Sequence, residues 1–477
     1  MFLGMGIAKS QYVSLPDPDF LSFLSNNGFF NCVQTGQLDT TCPELLNDTI
    51  LICSHQPISN LQGIQYFKGL RYFDCSYDLI DSLPPLPPHL RVLICHDDSL
   101  RKLRTLPDSL TFLDCSDNYL RLLPTLPDGI TDFYCIDNLV TKIATLPSAL
   151  INFGCSSNLL DSLPPLPSHL DSFMCNINHL LYLPPLPNSL RYLDCQQNLL
   201  TTIPHSASLK YLNCSVNNID YLPEFDSIQI LYCAFDQLHG LPPLPNTLIL
   251  LSCPYNLIDT ILSLPNRLRT IYCSNNQIKS FGAALPDSLQ YIDCSTNLVS
   301  TLPPFPQGLI SIDCNHNLLT DLPPLPAYVN GLMCNMNPYL QCLPKLTTIT
   351  YLDFTNTAVT CLPNYGHVNT SLPALDSLPL CELNKTKGCP VYTSIHEIGE
   401  LKCNVFPNPT SGLMHVVLDN PVSEAELTVM NILGQQLYTE SINGTGAAIN
   451  ITGLADGIYV VIVRSGSNSY KTMVVKN

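Results

Sequence analysis

Cysteine returns at positions 53, 75, 95, 115, 135, 155, 175, 195, 214, 233, 253, 273, 294, 314 and 334, and Phe354 takes the next slot. This period, kept through sixteen turns, restricts the chain more than any other feature. One unit is too short to bury its apolar side alone, so the units must stack on one another. The segment Leu110-Thr-Phe-Leu113-Asp-Cys115-Ser-Asp-Asn118-Tyr-Leu120 and its successor Ile130-Thr-Asp-Phe133-Tyr-Cys135-Ile-Asp-Asn138-Leu-Val140 give the template L-x-x-L-x-C-x-x-N-x-L, followed by L-P-x-L-P. L-x-x-L-x-C reads as a short strand whose inward residues alternate with outward ones. Asn118 and its equivalents at 138, 158, 178, 198, 217, 256, 276, 297, 317 and 337 end each strand. An amide both donates and accepts, so stacked Asn side chains can satisfy turn backbone that would otherwise be buried and unpaired. Asp78, Asp98 and Asp236 take this slot in three turns and are expected only to accept. The Leu-Pro-Pro-Leu-Pro segments at 163–167, 183–187 and 241–245 cannot be helical. They are expected to run as extended, polyproline-like chain on the convex side. Stacking at about 4.8 Å per strand gives a solenoid ~75 Å long.

This is the leucine-rich repeat pattern, with cysteine at the third inward position. The L-P-x-L-P element resembles the short bacterial class seen in injected effectors of enteric pathogens. Some of those relatives carry a ubiquitin-ligase domain much longer than the 115 residues that follow Leu362 here, so no such domain is expected. The fold expected is a β-rich solenoid of about 16 turns. Its parallel strands form the concave face, and a small antiparallel β-sandwich follows it. The expected divisions are 1–10, 11–48 as N-terminal cap, 49–362 as solenoid, 363–400 as cap and linker, and 401–477 as the sandwich.

Charge removes other classes. Lys plus Arg number 21 and Asp plus Glu 38, so the net charge is −17, and a nucleic-acid partner, which needs a basic footprint, is not expected. The 41 prolines argue against long helices. No apolar run approaches the roughly 18 residues that span a bilayer, so no transmembrane segment is expected.

Fifteen of the 22 cysteines form the ladder. Equivalent residues on adjacent parallel strands have parallel Cβ bonds about 4.8 Å apart, whereas a disulfide wants Cβ atoms at about 3.5–4.5 Å pointing together. The ladder therefore reads as buried small hydrophobes. A metal-binding thiolate stack lacks the C-x-x-C spacing that zinc favours, and no metal is expected. Seven cysteines lie outside the ladder. The pairs expected are Cys32–Cys42 around a polar loop, Cys342–Cys361 at equivalent points of adjacent terminal coils, and Cys381–Cys389 around a short loop, which leaves Cys403 over.

The two ends differ from the array. Residues 1–10 resemble the last part of a secretory signal. Asp17-Pro-Asp-Phe20-Leu21 has an N-cap candidate and proline at the first helical position, so one short helix is expected to cover the first coil. After residue 401 the chain alternates as strands do, as in Met414-His-Val-Val-Leu418, Glu426-Leu-Thr-Val-Met430 and Tyr459-Val-Val-Ile-Val463. About seven short strands are expected there. Asn404-Val-Phe-Pro407-Asn408-Pro409-Thr410-Ser411-Gly412, then Ile432-Leu-Gly434, then Asp456-Gly457-Ile-Tyr459 and Lys471-Thr-Met-Val-Val resemble the C-terminal sorting domain of the type IX secretion system. The resemblance implies a Bacteroidota source and the type IX machinery as partner. It also implies export across the outer membrane, often with removal of the domain and attachment to the cell surface.

No catalytic motif stands in a plausible context, and no enzyme activity and no cofactor are expected. His96, His179 and His316 fall in different repeat slots and cannot stack into one site. The outward strand positions are more informative. Asp74, Asp114, Asp194, Asp293, Asp313 and Asp353 precede the cysteine slot, and Tyr72, Phe112, Tyr192, Tyr211, Tyr291 and Tyr351 stand two places earlier. Rings with polar tips suit interfaces, and carboxylates select basic or hydroxyl-bearing partners. In the middle turns the spacing drops to 19 around Cys214 and Cys233, and Ile230, Tyr232, Leu250 and Tyr272 occupy outward slots. These four, with Tyr192, Tyr211, Asp194, Asp293 and Asp313, form the candidate surface for a protein or glycan ligand. The competing readings are a duplicated consensus that serves only as a surface spacer and, if the chain is not exported, an intracellular scaffold.

Overall fold

The computed structural model describes residues 12–364, 366–381, 389, 403–431, 435–465 and 468–477, in two compact units, Met1–Pro390 and Val391–Asn477. In the first unit a single parallel sheet of seventeen strands runs from Ile50–Ile52 to His367–Leu372. Most strands have three residues, paired in register one coil apart, as Phe173 is with Phe153 and Leu193. The last strand lies in the stretch expected to be cap and linker; it pairs with Thr348–Asp353 and extends the sheet by one coil. Between strands the proline-rich segments are irregular, apart from a short parallel pair, Thr260–Ile261 with Ser280–Phe281, and a parallel bridge between Ser82 and Lys102. The inward residues form one continuous apolar core, in which Phe133, Phe153 and Phe173 stack at 5.6 and 5.2 Å between ring centres.

The Asn column holds the coils together as the sequence predicts. Asn118 Nδ2 donates to the carbonyls of Cys95 (2.8 Å), Cys115 (3.2 Å) and Ser116 (2.8 Å), while its Oδ1 accepts from the Leu100 amide (2.8 Å). The same four-way grip recurs from Asn138 to Asn337. It stabilises a turn the sequence does not disclose. The residue two places after each cysteine slot has positive φ in all sixteen coils from His55 to Asn356, and none of them is glycine. Left-handed backbone costs an L-residue about 1–2 kcal/mol. From His55 to Met336 each such amide gains a carbonyl of the next coil, as Asp117 does from Ile136 (2.8 Å).

Asp78, Asp98 and Asp236 accept, as expected, but fill only half of the Asn role. Each Oδ1 accepts as Asn does, Asp98 from the amides of Asp78 and Ile80. Each Oδ2 is buried with no partner. That atom takes the place of the Asn Nδ2, among carbonyls that themselves only accept. Burial pushes all three carboxyls up to about 7, so the neutral acid, which can donate, is favoured below that pH.

All fifteen ladder cysteines are buried thiols, and burial raises them far above the ordinary range. Several donate weakly to the next coil, as Cys273 does to the Asp293 carbonyl at 3.3 Å. At the N-terminal end the helix Pro18–Asn26 covers the first coil with Phe20 and Leu24. Asp17 caps it, and its second oxygen accepts from Ser59 and Asn60 of the first coil at 2.7–2.8 Å. Burial alone would raise this carboxyl, but those bonds hold it below its usual value. Cys32–Cys42 is bridged as expected.

The other two pairings are corrected. The bridges are Cys342–Cys389 and Cys361–Cys381, not Cys342–Cys361 and Cys381–Cys389. Equivalent points on adjacent coils do not face each other, which is the argument that keeps the ladder reduced. Instead, the chain at 380–381 runs parallel beside Leu362, and the Cys381 amide donates to the Leu362 carbonyl at 2.9 Å, bringing Cys381 against Cys361. Cys389 returns to Gln341, placing it against Cys342.

The second unit is an antiparallel sheet of five strands, Cys403–Phe406, Leu413–Asn431, Gln436–Asn450, Gly457–Ser465 and Asn468–Lys476. Leu413–Asn431 joins two of the expected short strands into one. Register shifts bend it, so its first half pairs with Cys403–Phe406 and its second with Gly457–Ser465. Cys403, Met414, Val416, Leu427, Val461 and Val474 belong to its core.

Candidate functional site

The sheet face carries two side chains from each three-residue strand, separated by one buried residue. Tyr192, Tyr211, Ile230, Tyr232 and Leu250 are half-buried, and Tyr272 and Tyr291 are exposed at 41% each. Tyr192 and Tyr211 are in register, and their rings stack at 4.3 Å and 8°. Tyr232 continues the group at 5.9 Å and 55°. The sequence placed Tyr232 in a different strand slot from Tyr211, but adjacent strands bring the two slots together. Burial comes first, then the neighbouring Tyr192 phenol, in raising Tyr211 above its ordinary value, so both phenols are neutral donors. Tyr272 lies two strands beyond Tyr232, next to Asp293.

The carboxylates have a local task that sequence reasoning missed. Oδ1 of Asp194 accepts from the Gln196 amide (3.2 Å), that of Asp293 from the Ser295 amide (2.9 Å) and hydroxyl (2.6 Å), and that of Asp313 from the Asn315 amide (3.1 Å). Asp74, Asp114 and Asp353 do the same. Each closes an Asx turn where the strand gives way to the left-handed residue. Spacing of Asp two places before Ser, Asn, Gln or Thr was the available clue. One oxygen of each carboxylate is thus committed to the fold. Asp194 and Asp313 are raised by burial, and the amide bond lowers each in part.

Among the described residues, the groupings suited to a metal are Cys361 with Cys381 and Cys389, and Cys32 with Cys42 and Glu44. All of those cysteines are in disulfides, so their sulfurs are not available as thiolate ligands. No helix among the described residues is long and apolar enough to cross a membrane.

In the second unit, Pro407, Asn408 and Pro409 form a bend against the final strand. Asn408 donates to the Met473 carbonyl and accepts from the Val475 amide, both at 2.9 Å. Gly412 has φ +117°, and a Cβ there would stand 2.7 Å from the Thr452 backbone, so only glycine fits. Gly457 opens the fourth strand, and Tyr459 donates its hydroxyl to the Ala455 carbonyl. Lys471 is exposed on the last strand, and Gly434 lies outside the described residues. A pair not foreseen is Lys476 Nζ with Asp456, at 2.8 Å, the lysine being buried. These contacts tie the opening motif to the chain's last residues.

Residues 404–477 match the family of secretion system C-terminal sorting domains. No curated protein sequence matches the chain. Among solved structures, YopM from Yersinia enterocolitica WA-314 is similar, with 28% identity and a TM-score of 0.61, over 68% of this chain and 77% of that one. YopM of Yersinia pestis, described as a leucine-rich effector protein, matches with 27% identity and a TM-score of 0.50, over 61% and 86%. The functional domain of InlJ from Listeria monocytogenes, described as including a cysteine ladder, covers 97% of each chain at 18% identity and a TM-score of 0.57, a likeness of fold alone. The chain is thus a leucine-rich repeat array that carries a type IX secretion sorting domain.

Proposed function

We propose that this chain, a leucine-rich repeat array bearing a secretion sorting domain, is a surface-attached or released recognition protein that binds a protein or glycan through its sheet face. The sorting domain engages the type IX machinery and carries the array out of the cell. The array then presents Tyr192, Tyr211, Tyr232 and Tyr272, flanked by Ile230 and Leu250. Asp194, Asp293 and Asp313 offer their second oxygens to basic or hydroxyl groups. The observation that carries this reading is the stacked Tyr192–Tyr211 pair, continued by Tyr232 over three adjacent strands. Three half-buried rings with polar tips form a rigid platform whose ordering cost is already met in folding.

The spacer reading draws on one specific observation, the Asx turns, which explain the aspartate row without any ligand. Replacing Tyr192, Tyr211, Tyr232 and Tyr272 by alanine separates the two. Capture of ligand from host-cell surfaces or a glycan panel is expected to fall at least tenfold with secretion unchanged. Unaltered capture would leave the array as a spacer.

A further inference from the structure

The strongest unassigned feature is on the return segments, away from the sheet. A groove of about 1040 Å³ crosses adjacent coils there, lined by Arg101, Lys102, Arg104 and Arg121 around Leu106 and Leu122. All four cations are exposed, and Leu122 is 70% exposed between them. Lys142 follows Lys102 and Leu122 in the same repeat slot. Five of the chain's 21 basic residues thus fall within residues 101–142, in a protein of net charge −17.

Asp108 and Asp128 are exposed on the return segments of these coils, so the five cations still outnumber the carboxylates there; the other acids stand elsewhere. Asp97, Asp117 and Asp137 hold the left-handed turn, and Asp114 and Asp132 belong to the sheet strands. Asp81 occupies the slot of Arg101 one coil earlier, and its carboxylate accepts from Ser82 at 2.9 Å. Among the described residues none of the four cations forms an ion pair. Basic groups gathered without an ion-pair partner, against the sign of the whole molecule, do nothing for stability and leave their charge available to an anionic ligand.

We propose that this groove binds a sulfated or phosphorylated polysaccharide. Guanidinium is the side chain that grips sulfate and phosphate oxygens in pairs. Arg101 and Arg121 hold the same slot in consecutive coils, so the cations repeat at about 4.8 Å, the strand spacing. That repeat is close to the length of one pyranose residue in an extended glycan, so successive anionic groups meet successive coils. Leu106 and Leu122 supply an apolar floor for the ring faces. The net negative charge of the protein repels polyanions elsewhere and confines them to this groove.

The test uses the full chain on immobilised heparin at about 0.15 M salt, where exposed charges still act over about 8 Å. Wild-type protein is expected to be retained, and fully desulfated heparin to retain nothing. Arg101→Ser with Arg121→Ser is expected to weaken binding at least tenfold, and Lys102→Ser with Arg104→Ser to do likewise; all four side chains are exposed, and circular dichroism checks the fold. Tyr192→Ala with Tyr211→Ala is expected to leave retention unchanged, which keeps this site independent of the sheet-face reading. Failure of wild type to bind, or equal binding by the arginine variants, would overturn the proposal. So would equal retention on single-stranded DNA, which would mean polyanions in general. Displacement by inorganic sulfate at the molarity of heparin sulfate groups would also overturn it, reducing the groove to a lone anion pocket.

Discussion

Inside the array every coil has a neighbour on both sides, whereas at each end one neighbour is missing, and cysteine serves the two regions in opposite ways. In the interior fifteen thiols lie in a row of parallel side chains, buried, with their ionisation suppressed. At the ends six cysteines on non-equivalent segments face one another and are bridged. The difference teaches that backbone register, not residue type, decides which sulfurs pair. It also accords with export, since disulfides persist in oxidising surroundings.

The largest effect is expected where the two regions meet. The bridges Cys342–Cys389 and Cys361–Cys381 close loops of 47 and 20 residues. On a loop-entropy basis their removal costs about 4 and about 3 kcal/mol. Serine replacements at these four positions are expected to abolish amide-exchange protection in residues 340–372 first, leaving 115–255 as before. Loss spread evenly over the array would break the comparison.

Next comes the interior grip. Asn158→Ala orphans the carbonyls of Cys135, Cys155 and Ser156 and the Val140 amide. A destabilisation of about 3 kcal/mol is expected from buried groups left unpaired, read as a lower urea midpoint by circular dichroism. A change below a tenth of that would show that the column is ornamental.

Smaller still is the thiol row. Cys175→Ser places a hydroxyl in the apolar core and is expected to cost about 1–2 kcal/mol. A thiol reagent is expected to label Cys175 only after unfolding, and rapid labelling of the folded protein would contradict the burial argument.

A further effect is set by pH, through titration of the three aspartates in the Asn column. Their folded pKa, about 7, stands above that of the unfolded chain. Their contribution is therefore fully present below about pH 4 and is lost as pH rises toward 7. Melting temperature is expected to fall over that window. Asp78→Asn, Asp98→Asn and Asp236→Asn together are expected to flatten the slope and raise stability at pH 8. An unchanged slope would mean that the carboxylates are solvated.

Much of this was legible because the period forces each residue type into one slot. The Asn column and the reduced ladder follow from position alone, the Asp17 cap from its neighbouring residues, and the sorting motif from its resemblance to a known family. The cap pairings were not legible, because Cys389 and Cys381 find their partners through chain that lies outside the repeat. The left-handed turn carried no glycine to announce it. The Asp194, Asp293 and Asp313 carboxylates looked like a binding row, and only the structure shows one oxygen of each spent on the turn. Arg101 and Arg121 are twenty positions apart and become neighbours only when the coil closes.

The central claim is that the array is exported, with its ends oxidised and its interior reduced. The direct test is to recover the protein from its native host and measure its location, its intact mass and the state of each cysteine. Recovery from the cell surface or medium is predicted, with Cys32–Cys42, Cys342–Cys389 and Cys361–Cys381 bridged and the fifteen ladder thiols free to alkylate only after unfolding. A full-length, wholly reduced protein confined to the cytoplasm would contradict it.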